Sequence, residues 1–138
     1  MSAEQNKATL RYVFQEAFNN NKLEVIDETY AEDYEFDAPR LAGQAVTTGR
    51  EAFKRRVQSF AAAFGDIHYT IEDVIAEGDL VATNFTFGGL HRGEFAGFPP
   101  TNRRVEITGV HFARFVDGRI KKTWAGFTNI AEVLGDRK

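Results

Sequence analysis

The chain contains no cysteine, which excludes both a disulfide framework and a metal site built on thiolates. Proline, methionine and tryptophan are scarce, with three, one and one residues among 138. No apolar run approaches the roughly 20 residues that cross a bilayer, and residues 1–11 are polar and charged instead of forming an apolar signal region. We therefore expect a cytoplasmic protein that has no membrane partner.

Charge of either sign is spread along the chain, and the formal net charge is only −3. The basic residues include the separated pairs Arg55-Arg56, Arg103-Arg104 and Lys121-Lys122. A nucleic-acid-binding surface needs clustered basic residues, so we expect no nucleic-acid partner. His68, His91 and His111 are far apart, and the sequence has neither a His/Glu cluster at metal spacing nor a glycine-rich phosphate loop. These residues indicate no metal and no cofactor.

Phenylalanine, by contrast, is abundant, with 13 residues in a composition that is 43% hydrophobic. Its side chain buries a large area without a polar group that needs a partner, so a cavity lined with phenylalanine stays dry. The length fits a single domain that spans residues 1–138.

Helical patterns occupy most of the first half of the chain. Ser2 and Gln5 form a capping box ahead of apolar residues at helical spacing. Residues 23–30 predict a second, short helix. Thr48 and Glu51 form another capping box, which predicts the start of a third helix with an aromatic ridge.

Strand patterns dominate the second half. After one short strand at residues 34–37, they cover residues 69–76, 80–90, 105–116 and 119–127. Asp117-Gly118, between the last two, is a strong two-residue hairpin signal. Helices followed by a long antiparallel meander predict an α+β fold, in which the N-terminal helices pack in the concavity of a curved, mixed but mostly antiparallel sheet. A few helices cannot fill such a concavity, so we expect a cavity between them and the sheet.

The strand at residues 105–116 has one dry face, on which the imidazole of His111 is surrounded by apolar residues. A histidine in such a wall is often only a hydrogen-bonded core residue, and that interpretation stays open beside a functional one. If His111 is functional, burial lowers its pKa and keeps it neutral, suited to accept or relay a proton. Asp37, on the first strand, is the leading candidate for its acidic partner; the alternative for Asp37 is a solvated strand end.

Three further side chains are candidates for contact with a ligand. Tyr12 and Tyr30 are predicted on helices that cover the cavity, where a phenol could hydrogen-bond a ligand. His91 ends a strand ahead of a loop rich in glycine and proline. It either orients that loop over the cavity mouth or holds the loop structurally.

Residues 91–103 carry the pattern H-x-G-x-x-x-G-x-P-P-T-x-R. This segment resembles the corresponding segment of the SnoaL-like polyketide cyclases and ester cyclases of the nuclear-transport-factor-2-like superfamily, and the similarity continues, in order, over nearly the whole chain. The resemblance implies a cone-shaped α+β barrel, usually a dimer through the outer face of its sheet. It also implies closure of a ring by an intramolecular aldol step with no metal and no cofactor.

In the cyclases that the chain resembles, a carboxylate on the last strand takes the proton and a histidine on the preceding strand supports the enolate. His111 matches that histidine, whereas the position of the carboxylate holds Ala125. No Asp or Glu lies between residues 119 and 129, so a one-residue shift of the alignment does not restore the base. Thr123 and Phe36 match other polar positions of the family's cavity. The aldol mechanism therefore does not transfer intact.

Three functions stay open at this point. The favoured one is a cofactor-free lyase or isomerase, similar to a polyketide cyclase, that moves a proton next to a carbonyl group of a hydrophobic small molecule. Its candidate catalytic residues are His111 and Asp37, and its candidate substrate-binding residues are Tyr12, Tyr30, Phe36, His91, Thr123 and Ala125. The alternatives are a protein that binds a hydrophobic ligand without chemistry and a structural dimer with no ligand.

Overall fold

The computed structural model describes residues 2–37, 47–95 and 97–135. The helices are α1 (Ala3–Tyr12), which continues as a π-helical segment (Val13–Asn19), α2 (Glu24–Thr29), α3 (Arg50–Ala63) and α4 (Ile130–Leu134). The strands are β1 (Tyr30–Asp37), β2 (Thr47–Thr48), β3 (Phe64–Glu77), β4 (Leu80–His91), β5 (Arg104–Val116) and β6 (Arg119–Phe127).

The strands form one curved sheet in the order β2-β1-β6-β5-β4-β3. β1 and β6 run parallel, and every other neighbouring pair is antiparallel. Between β5 and β6, Asp117 and Gly118 both have positive φ, as a type I′ hairpin turn requires. The first two helices and α3 pack on one side of the sheet, which confirms the predicted α+β fold.

The N-terminal helix begins where the sequence predicts. The Ser2 hydroxyl accepts from the Gln5 backbone N–H, and the Gln5 side chain accepts from the Ser2 backbone N–H. At the other end, the Asn19 side chain donates to the Tyr69 carbonyl (2.9 Å) and accepts from the Tyr69 N–H (2.6 Å). These two bonds attach the π-helical segment to the edge strand β3.

Two element boundaries differ from the sequence prediction. The predicted capping box of the third helix is wrong, because Thr48 lies in β2, paired with Glu35, and Gly49 with a φ of 95° is the N-cap. Tyr30 was expected on a helix but is the first residue of β1, where it pairs with Ile120. In both places a strand pairing formed with a distant part of the chain overrides the local pattern.

The inner and outer faces of β5 are as predicted. Its buried positions include Ile107, His111 and Ala113, and they alternate with more exposed neighbours such as Val110 and Phe112. His111 therefore lies on the inner face of the sheet, toward the helices. Among the described helices, none combines the length and the apolar character that crossing a bilayer requires.

Candidate active site

An apolar cavity lies between the helices and the inner face of the sheet. It is lined by Phe14, Phe18, Phe36, Phe53, Arg56, Val57, Phe60, Tyr69, Phe85, His111, Ala125 and Phe127. The cavity has a volume of about 60 Å³, which is too small for a ring-bearing ligand unless some of the aromatic side chains move apart. Among the lining residues that the structure describes there is no carboxylate; Arg56, Tyr69 and His111 supply the polar side-chain groups.

His111 lies in the wall of this cavity with 5% of its surface exposed. Its ring packs edge-on against Phe14 and Phe85, with centroid separations of 5.4 and 6.4 Å. Within the described part of the chain, no group hydrogen-bonds its buried Nδ1. Burial lowers the pKa of His111 to about 4, because the charged ring would lose its hydration. The imidazole is therefore neutral at pH 7 and able to accept a proton.

The neighbours of His111 on the adjacent strands are small. It pairs with Thr83 of β4 and with Ala125 of β6. Directly paired residues share a face of the sheet, so both flank the imidazole. Ala125 lines the cavity, and its methyl group leaves the space beside the ring open.

Asp37 is not the acidic partner of His111. It pairs with Trp124, which pairs with Phe112, and Phe112 is exposed on the outer face of the sheet. Because paired residues share a face, Asp37 lies on the side of the sheet away from His111. The preceding residue, Phe36, points inward and lines the cavity, as predicted for a cavity residue.

The two tyrosines predicted to cover the cavity lie elsewhere. Tyr12 is 44% exposed, and its hydroxyl donates to the Glu28 carboxylate at 3.3 Å. Tyr30 is fully buried against Tyr34, with ring centroids 4.6 Å apart, and is not among the lining residues. Thr123 is also fully buried; it lies on the inner face of β6, two residues before Ala125, but is not among the lining residues.

His91 holds the loop that follows β4. Its Nδ1 accepts the backbone N–H of Thr101 at 3.2 Å, and the Thr101 hydroxyl lies 3.1 Å from the same nitrogen. Its ring stacks on Phe64, and burial lowers the pKa of His91. These contacts place it behind the loop and not in the cavity lining, which supports the structural interpretation of this residue.

Sequence reasoning missed two polar residues of the cavity, Arg56 and Tyr69. The guanidinium of Arg56 lies over the Phe36 ring, 4.6 Å from its centroid, and burial lowers the pKa of Arg56. Burial raises the pKa of Tyr69, so its phenol stays protonated at neutral pH. A signal for Arg56 exists: it follows Phe53 by three residues and precedes Phe60 by four, which places all three on one face of α3.

Comparison with known proteins identifies the family of the chain. The model of the family "SnoaL-like polyketide cyclase" matches residues 8–132. The chain belongs to this family. It is 33% identical over 124 residues to the nogalonic acid methyl ester cyclase of Streptomyces nogalater, covering 87% of this chain and 90% of that protein. This relative and two further ones, at 28% identity over 124 residues, are all named as methyl ester cyclases. On that ground the chain is a cyclase-like enzyme.

Two solved structures show the same fold as this SnoaL-like protein. IdmH from Streptomyces antibioticus is 37% identical, with a TM-score of 0.77 and coverage of 91% of this chain and 94% of that one. A SnoaL-like protein from Jannaschia sp. CCS1 superposes with a TM-score of 0.85 over 99% of this chain and 95% of its own, at 20% identity. The second likeness concerns the fold alone.

Proposed function

We propose that this protein closes a ring in a hydrophobic, carbonyl-containing small molecule by proton transfer at His111, with no metal or organic cofactor. The observation that carries the proposal is an imidazole held neutral by burial in the wall of an apolar cavity. The name of the relative from Streptomyces nogalater supports the methyl ester of a polyketide acid as the substrate class.

In the proposed reaction, the neutral imidazole of His111 accepts a proton from a carbon atom next to a carbonyl group. The electrons of the broken C–H bond form an enolate, whose carbon attacks a second carbonyl group of the same molecule and forms the new C–C bond. The oxygen of that second carbonyl takes the proton back from the imidazolium, so the protein ends unchanged. Proton transfer by a positioned side chain contributes about 100- to 10,000-fold to a rate.

This route needs no carboxylate in the cavity. With a pKa of about 4, His111 has the basicity of an ordinary aspartate, whose pKa is about 3.9. The imidazole differs in that it is uncharged before the reaction, which suits a lining of phenylalanine side chains. We therefore assign to His111 the proton-accepting role that the resemblance gives to a carboxylate at the position of Ala125.

The test compares turnover and binding in His111→Gln and in His68→Gln, a matched change at an exposed histidine outside the cavity. With nogalonic acid methyl ester as the probe, His111→Gln should lower kcat at least 100-fold and change the Kd less than tenfold, because a proton acceptor acts in the transition state. His68→Gln should keep both values within threefold. A His111→Gln variant that turns over at a wild-type rate would exclude the imidazole as the base.

Binding without chemistry is the second candidate function, and the absence of a carboxylate from the described lining favours it. In that case the probe returns unchanged from the wild-type protein, and Ala125→Phe weakens its binding by filling the cavity next to His111, whereas His111→Gln has little effect on binding. Formation of a cyclised product by the wild-type protein excludes this candidate.

A homodimer and a cytoplasmic location belong to the same proposal. The outer face of β5 presents the apolar side chains Val110, Phe112 and Val116, each exposed by more than two fifths. Exposed apolar side chains grouped on one face are typical of a protein interface, and a second copy of the chain would cover them.

A further inference from the structure

Arg56 brings a permanent charge into an otherwise apolar cavity. It is the one lining residue among those described that is cationic at every physiological pH. Its guanidinium carbon lies 4.6 Å from the centroid of Phe36 and 5.7 Å from that of Phe60. Contacts of a guanidinium with aromatic faces are attractive and favour a fixed orientation of its plane. The cation is therefore a positioned part of the cavity wall.

The surroundings of Arg56 strengthen its attraction for an anion. His111 and Tyr69, the other titratable lining residues described, are both uncharged at neutral pH, because burial lowers the pKa of one and raises that of the other. The remaining described lining is aromatic and aliphatic, so charges inside it are weakly screened. A guanidinium also presents several N–H donors in one plane, a geometry that matches the oxygens of a carboxylate.

From this arrangement we infer that Arg56 binds an anionic oxygen of the ligand and makes the cavity select ring-bearing molecules with a carboxylate, phenolate or enolate over their neutral analogues. The inference rests on the proposed function only in taking this cavity as the ligand site. Arg56 touches the ligand, so its effect is present in equilibrium binding as well as in any reaction that forms an enolate.

The test measures equilibrium binding of two matched probes, 2-naphthoate and its neutral methyl ester, by isothermal titration calorimetry. Arg56→Gln should weaken the binding of 2-naphthoate about 10- to 100-fold, the loss expected for a charge-assisted hydrogen bond in weakly screened surroundings. The same variant should change binding of the methyl ester less than threefold. Arg56→Lys should lie between, since it keeps the charge and loses the planar donors.

Arg55→Gln is the matched control, because it removes an equal charge from an exposed neighbour on α3. It should leave the binding of both probes within threefold of the wild type. If Arg56→Gln and Arg56→Lys weaken the binding of both probes equally, the inference is overturned in favour of a packing effect. If Arg55→Gln weakens the binding of 2-naphthoate as much as Arg56→Gln does, it is overturned in favour of a general charge effect.

The outcome is separate from that of the cyclase test. Selectivity for the anion that depends on Arg56 stands even if no substrate is cyclised, whereas cyclisation by an Arg56→Gln variant with unchanged anion binding overturns the role of Arg56 alone. Thermal unfolding of each variant verifies that the compared proteins are folded.

Discussion

Placing a carboxylate opposite His111 tests the geometry of the cavity wall directly. Ala125 pairs with His111 across β5 and β6, and directly paired Cβ atoms lie about 5 Å apart. At an effective dielectric constant of about 20, opposite charges at that distance attract by about 3 kcal/mol. One pKa unit corresponds to about 1.4 kcal/mol, so Ala125→Asp should raise the pKa of His111 by about two units, from about 4 to about 6.

The assay is a pH titration of the imidazole by ¹H–¹⁵N NMR. The introduced carboxylate is itself desolvated, so the two groups titrate as a coupled pair, and the readout is the shift of the imidazole signals. Val110→Asp is the control, because Val110 adjoins His111 in sequence but is exposed on the outer face. A pKa that moves by less than half a unit in Ala125→Asp, or equally in both variants, would refute the placement of Ala125 beside the imidazole.

Two further predictions concern stability. The unfolded chain protonates His111 near pH 6.5 and the folded chain only near pH 4, so acidification through this window favours unfolding by up to about 3 kcal/mol. In urea unfolding, the His111→Gln variant should therefore lose less stability than the wild type between these pH values, and equal losses would contradict the lowered pKa. Gly109→Ala should lower the unfolding free energy by about 1–3 kcal/mol, because the added Cβ would lie 2.7 Å from the Gly126 carbonyl oxygen and 2.8 Å from Phe85; an unchanged melting temperature would show that this contact relaxes freely.

The positions that the sequence predicted well depend on local periodicity. In β5 each second residue faces inward, so the apolar pattern around His111 was enough to place it in the cavity wall. The same rule separated Phe36 from Asp37 on opposite faces of β1. Which of these faces is the inner one depends on the parallel pairing of β1 with β6, and that pairing joins residues more than 80 positions apart.

The wrong positions depend on features that have no local pattern. Tyr12 is the last residue of α1, and the π-helical segment that follows it turns at a different period, so the helical phase cannot be extended from one to the other. In the sequence, Arg56 stands out only as a member of a separated basic pair. Its shared helix face with Phe53 and Phe60 does not by itself place it in a cavity wall, because charged residues are seldom buried. Its role in the wall depends on Phe36, which reaches it from β1.

The charges of the cavity constrain how His111 can receive a proton. An imidazolium in this wall would share an apolar cavity with the guanidinium of Arg56, and two cations in weakly screened surroundings repel each other. Burial lowers the pKa of His111, so a proton from solvent reaches it only well below neutral pH. A proton from a bound ligand leaves a negative charge on that ligand, and this charge attracts both cations at once. The apolar wall that keeps His111 neutral thus favours proton transfer from a carbon acid bound beside it.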